Sequence, residues 1–147
     1  GPFSPTRAGG LPTQELIGLC FSGDHTATDL RRMTVKSGGL ISYLGTDDAR
    51  AVEERIGQGD GEALMVYRAM AYQIAKEIGA MATVLNGVVE KTLLTGGLAS
   101  SDMLVGWITQ RVSFIAPVEV CPEVEEMKAL AVGALRALRG ETQVKEY

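Results

Sequence analysis

Val88-Val89-Glu90-Lys91-Thr92-Leu93-Leu94-Thr95-Gly96-Gly97-Leu98-Ala99-Ser100-Ser101-Asp102 is the stretch on which the reading of the chain turns. A short apolar run with β-branched residues stops at Gly96-Gly97, and Ser100, Ser101 and Asp102 then offer helix N-caps before an amphipathic segment. The pattern is strand, glycine turn, helix. Such a turn gathers backbone N–H groups at a positive helix end, which suits an anion. Glycine lets a ligand come close because it has no Cβ. A phosphate cradle, a nucleotide turn and a plain connection all share this spelling, and the stretch by itself does not separate them.

Downstream, Ser101 to Val112 reads as a helix that turns Leu104, Trp107, Ile108 and Val112 toward a core. Ser113 to Val120 reads as a second strand, with Pro117 arguing for an edge position or a break. Strand, helix and strand with short connections make a right-handed parallel βαβ unit. Pro122 and Glu123 open a final helix, whose stripe is Met127, Leu130, Ala131, Ala134, Leu135 and Leu138 and whose stop is Gly140. Glu123, Glu125 and Glu126 crowd its first turn, where the macrodipole favours acids. A polar tail, 141–147, follows.

Upstream, Asp60 caps the longest element, Glu62 to about Leu85, and Asn86-Gly87 closes it. Tyr67, Met70, Ala71, Ile74, Ile78, Met81, Ala82 and Leu85 recur at three- and four-residue steps and form one continuous stripe. Thr46-Asp47-Asp48-Ala49-Arg50 begins a charged helix through Ile56. Capping accounts for the aspartates. Arg50 sits in the first turn, where a cation is disfavoured, so something else must hold it there. Gly39 to Gly45 is too brief to classify by period. Thr26 or Thr28 caps a helix through Lys36, and Gln14 to Phe21 is a short helix stopped by Gly23. Gly1 to Gly10 reads as a loop.

At 147 residues and 46% hydrophobic, the chain can build one core. A net charge of -4 argues against a basic nucleic-acid surface. Cys20 and Cys121 are expected as buried, reduced thiols. His25, the one histidine, is too few for a histidine-based metal site or a catalytic triad. No apolar run reaches the roughly 20 residues that cross a bilayer, and no signal-peptide pattern is present. The expected location is cytoplasmic. Two strands are too few to cover five or six helices, so earlier strands are expected to be missing.

Four motifs then stand in order: Gly-Pro-Phe-Ser-Pro-Thr-Arg-Ala-Gly-Gly-Leu-Pro (1–12), Leu-Gly-Thr-Asp-Asp-Ala-Arg (44–50), Ala-Met-Ala-Tyr-Gln-Ile-Ala-Lys-Glu-Ile-Gly-Ala-Met (69–81) and Leu-Thr-Gly-Gly-Leu-Ala (94–99). Together they resemble butyrate kinases, of the acetate kinase family within the actin-like ATPase superfamily, over essentially the whole chain. The resemblance implies an α/β fold. This would be a partial ribonuclease H-like (actin-like ATPase) domain, helix-rich with a parallel βαβ unit and lacking its N-terminal strands. It makes 1–147 the C-terminal part of the second, nucleotide-binding domain. Residues 1–60 would be a loop plus helical insertion, 61–140 a long helix and a βαβα portion, and 141–147 the tail. The N-terminal half of the kinase would be missing, and Gly1-Pro2 would be native sequence.

The implied reaction transfers phosphate between ATP and butyrate or a similar short-chain carboxylate, giving ADP and an acyl phosphate, with magnesium (Mg2+). By resemblance, Thr95, Gly96, Gly97, Leu98 and Ala99 contact the adenosine. Arg50 stabilises the transferring phosphoryl group, Asp48 positions it, and Glu126 is linked to the metal. The segment Gly1 to Arg7 matches a loop near the acyl-substrate and phosphate region. Asp47 departs from the expected Asn or Ser. The family implies a homo-oligomer, with no nucleic-acid or membrane partner. On this reading the chain alone is inactive; the alternative is a non-catalytic dimerisation or interaction module derived from such a kinase.

Overall fold

The computed structural model describes residues 1–121 and 126–143. Along them run the helices α1 (Thr13–Phe21), α2 (Ala27–Val35), α3 (Leu40–Leu44), α4 (Ala49–Gly57) and α5 (Gly61–Val84). Strand β1 (Thr92–Thr95), a 3-10 turn (Gly97–Ser100), α6 (Asp102–Val112), β2 (Val118–Cys121) and α7 (Glu126–Leu138) complete the order. The helix starts follow their caps. Thr26 and Asp29 make a reciprocal capping box at α2, Asp48 caps α4, Asp60 caps α5 and Ser101 caps α6. Thr26, and not Thr28, is therefore the cap of the second helix.

The two strands pair in parallel, Thr92 opposite Val118 through Thr95 opposite Cys121, with α6 as the crossover. Both are shorter than the apolar runs that announced them. Thr92 N–H donates to Pro117 C=O, but Pro117 has no N–H to extend the ladder, so pairing begins at Val118 and not at Ser113. Val88–Lys91, expected as strand, has no partner in that ladder and leaves the α5 terminus as irregular chain.

The core lies between α5 and α6. Tyr67, Met70 and Ala71 are fully buried against Leu104, Ile108 and Val112, with Leu40 of α3, Val52 of α4 and Phe3 closing the cluster. The α5 stripe is covered over its first half only. Ile74 and Ile78 are half-buried, while Met81 and Leu85 are exposed. The stripe of α7 likewise stays uncovered: Leu130, Leu135 and Leu138 face solvent. Periodicity shows which face of a helix is apolar; an element must still be present to cover it.

The N-terminal loop is firmly built. Ala8 N–H donates to Thr34 C=O, Gly38 N–H to Thr6 C=O, Leu40 N–H to Ser4 C=O, and Phe3 N–H to Gln73 Oε1. Gly39 makes this possible: its φ is +62°, and a Cβ there would fall 1.7 Å from Ser4 O. The unclassified stretch after it is the single helical turn α3. Both cysteines are free, but neither is buried: Cys20 is exposed and Cys121 half-buried. Cys20 rides on α1, a helix with no buried residue, so its apolar neighbours are no guide to burial.

Candidate functional site

β1 delivers the chain to Gly96, whose φ of 82° and ψ of 179° suit glycine alone. The next four residues do not enter α6 directly. They form a 3-10 turn closed by Ala99 N–H to Gly96 C=O and Ser101 N–H to Leu98 C=O. Ala99 is buried and Leu98 packs on the core, which fixes the turn from below, while Thr95 and Gly97 are exposed. A methyl group on Gly97 would meet no atom within 4 Å. A Cβ on Gly96 would also meet nothing within 4 Å, so the space over both glycines is open and only Gly96 carries a backbone constraint. The N-terminus of α6 is set one turn further on and is occupied by its own cap, Ser101 Oγ accepting from Leu104 N–H. That geometry argues against a phosphate seated on α6 itself.

Asp48 and Arg50 form a closed unit. Asp48 Oδ1 accepts from Arg50 N–H at 3.0 Å and from Arg50 Nε at 3.0 Å, and Asp48 Oδ2 accepts from Arg50 Nη2 at 2.9 Å. The helix-capping carboxylate thus also holds the guanidinium in two parallel bonds. This is what retains a cation in the first turn of α4. Hydrogen bonds from Arg50 hold the Asp48 carboxyl below the usual aspartate range, and the same bonds raise Arg50. The Arg50 side chain is 91% exposed, so the unit sits at the surface with Nη1 unspent.

These two motifs, 44 residues apart in sequence, are joined by residues that spacing did not single out as functional. Glu53 lies one helical turn beyond Arg50. Its Oε1 accepts from the Tyr67 hydroxyl at 2.9 Å and from Ser101 Oγ, and the Tyr67 oxygen is 3.2 Å from Ser101 Oγ. Burial, more than the nearby carboxylate, pushes the Tyr67 hydroxyl well above its ordinary range, so it remains a proton donor. One signal was legible: a tyrosine on an otherwise aliphatic stripe needs a polar partner for its hydroxyl. Which partner it finds depends on tertiary packing.

Glu126 begins α7, but its side chain, with Glu123 and Glu125, lies outside the described residues. Among the described residues no group of three or more His, Cys, Asp or Glu could hold a metal. Asp48, the carboxylate nearest the implied chemistry, is already spent on Arg50. The described residues therefore do not by themselves assemble a magnesium site. Arg7 is exposed on its braced loop, and its guanidinium makes no ion pair among the described residues. No helix among these residues is long and apolar enough to cross a membrane.

The sequence profile of the acetokinase family matches residues 4–125. The chain is 51% identical over its 147 residues to the probable butyrate kinase 2 of Caldanaerobacter subterraneus subsp. tengcongensis, covering all of this chain and 42% of that protein. The acetate kinase of Entamoeba histolytica superposes with a TM-score of 0.77 at 17% identity, over 94% of this chain and 42% of its own. The acetate kinase of Porphyromonas gingivalis gives 0.71 at 24% identity, over 78% of this chain and 29% of its own. The solved structures show that this helix-rich fold with its small parallel sheet is shared with acetate kinases. The chain spans less than half the length of each of these relatives.

Proposed function

This chain belongs to the acetokinase family, and from that premise we propose that it forms part of an ATP-dependent carboxylate kinase acting on butyrate or a similar short-chain acid. The observation that carries the reading is the joining of α4, with Asp48 and Arg50 at its start, to the turn 95–101 through Glu53 and Ser101. A cationic fork and an open glycine turn on neighbouring elements are what a nucleoside polyphosphate requires. In this reading Thr95, Gly96, Gly97, Leu98 and Ala99 receive the adenosine. Arg50 addresses the phosphoryl group in transfer, with Asp48 orienting it.

The chemistry is in-line displacement. A carboxylate oxygen bonds to the γ-phosphorus as the bond from that phosphorus to the β-γ bridging oxygen breaks, leaving ADP and an acyl phosphate. Negative charge spreads over the equatorial oxygens, and fixed N–H donors stabilise it. Nε and one Nη2 hydrogen of Arg50 are committed to Asp48, so the Nη1 edge is what it offers an oxygen. Arg7, with its fork uncommitted on a rigid loop, is the second cation to test. Magnesium would accompany the nucleotide, and Glu126 is its proposed carboxylate.

Catalysis by positioning needs every wall of a cleft. The apolar groove left open beside α5 and the 42% coverage of the bacterial relative both support an incomplete site. The chain alone is then expected to bind ADP weakly and to form no acyl phosphate. The same exposed apolar faces support the second reading, an interaction module derived from such a kinase. The test is titration of the chain with ADP, alongside trapping of acyl phosphate by hydroxylamine in the presence of ATP and butyrate. Binding without hydroxamate supports the proposal. Hydroxamate above the blank would sink the incompleteness, and absence of ADP binding would favour the module.

A further inference from the structure

We infer that Glu53, Tyr67 and Ser101 are positioning residues for nucleotide: a three-membered hydrogen-bond bridge that locks the glycine turn against the helix carrying Arg50. The inference rests on the nucleotide-turn reading above and assigns residues which that reading leaves without a role. Ser101 is the hinge of the argument. Its N–H closes the 3-10 turn on Leu98, its Oγ accepts from Leu104 N–H to cap α6, and the same hydroxyl donates to Glu53 of α4. A helix cap needs only the second of these bonds. The third crosses to a different element, 48 residues away, and sets a half-buried carboxylate oxygen beside a phenol.

Groups drawn partly out of water are costly unless they find partners, and here the Glu53 carboxylate and both hydroxyls do. Tyr67 has no exposed surface, and its ring meets Trp107 edge-on at 5.9 Å, so its hydroxyl is held in place from the α5 side. Glu53 Oε1 thus has two donors on two elements, while Glu53 itself lies on α4 one turn beyond Arg50. Breaking the bridge at Glu53 or Tyr67 leaves each helix capped but lets the turn 95–101 drift relative to the guanidinium. A ligand that touches both must then fix that drift on binding, and affinity falls.

The experiment is calorimetric titration of the 147-residue chain with ADP, paired with urea denaturation of each variant. Glu53→Ala is expected to weaken ADP about tenfold, the scale of one charged hydrogen bond. Glu53→Gln retains an acceptor oxygen for both hydroxyls and is expected within about threefold of wild type. Ser101→Ala should weaken binding like Glu53→Ala, and Ser101→Thr, which keeps cap and donor, should restore it. Tyr67→Phe keeps the buried ring and the cap, so it reads the bridge even if Ser101→Ala fails to fold. A loss of about threefold is expected there. Unchanged ADP affinity in Glu53→Ala and Tyr67→Phe overturns the inference and leaves the nucleotide turn standing. Equal loss in Glu53→Ala and Glu53→Gln also overturns it. A wild-type chain that binds no ADP removes the nucleotide turn and this inference together.

Discussion

Arg50 shows how much a single residue can announce and conceal. Its place in a helix first turn flagged an unpaid electrostatic cost, and the structure answers with the Asp48 fork. If its remaining edge serves the phosphoryl group, Arg50→Ala in the complete kinase should cut turnover about 10²- to 10³-fold while ADP affinity stays within a few-fold. Unaltered kcat in that variant, with a collapse in Arg7→Ala, would move the role to Arg7. The two glycines of the turn separate in the same way. Gly97→Val has open space around it, so folding stability should stay within about 0.5 kcal/mol of wild type while ADP binding weakens. Gly96→Val must adopt a φ of 82° with a branched side chain and should cost about 2 kcal/mol by urea denaturation. The doublet Gly-Gly was legible, but which glycine carries the backbone constraint was not. That division is written in φ, which is 82° at Gly96.

Elements were best read where a cap marks them. Asp60 and Asp48 begin α5 and α4, and Thr26 with Asp29 begins α2, because short oxygen side chains satisfy the first free N–H groups. The three carboxyls all titrate below the ordinary aspartate value of 3.8: Asp60 chiefly through Ala63 N–H and then Arg55, Asp29 through Thr26, and Asp48 through Arg50. Lowered folded values have a definite sign. The stabilisation is complete above the unfolded value and is lost as pH falls through the folded ones. Thermal melts should therefore hold steady down to about pH 4 and decline below it, and Asp60→Asn should flatten that decline while keeping a cap. The strands were read less well, because a β-branched run does not say where its partner ends. Pro117 ends it here. The N-terminal loop was the least legible element, since nothing in its composition reveals that Gly38-Gly39 lies against it. Gly39→Ala would drive a methyl into Ser4 O and should cost at least about 2 kcal/mol, with loss of the Phe3 and Leu40 packing that depends on the loop.

For the molecule as a whole, the parallel βαβ unit and the α5–α6 core follow from patterns the chain displays openly. The bridge between α4 and the turn does not, because it depends on which faces meet. The same limit explains α5. Its stripe runs unbroken from Tyr67 to Leu85, yet burial fades along it from complete at Tyr67 and Met70 to exposed at Met81 and Leu85. What remains is a groove of about 330 Å³ bounded by Ile74, Ile78, Met81, Leu85, Val89 and Ile115. Such a face in water binds apolar dyes without unfolding, and substitutions on it are cheap because little is buried there. Met81→Lys with Leu85→Lys should therefore leave urea stability within about 0.5 kcal/mol and reduce anilinonaphthalene sulfonate fluorescence of the native chain by about half. Met70→Lys, about three turns back along the same helix, should abolish folding, since an ammonium cannot be seated in that core without a partner. A loss of about 2 kcal/mol or more in the Met81, Leu85 double variant would show that these side chains are covered in solution, and that the groove is not an open face of the isolated chain.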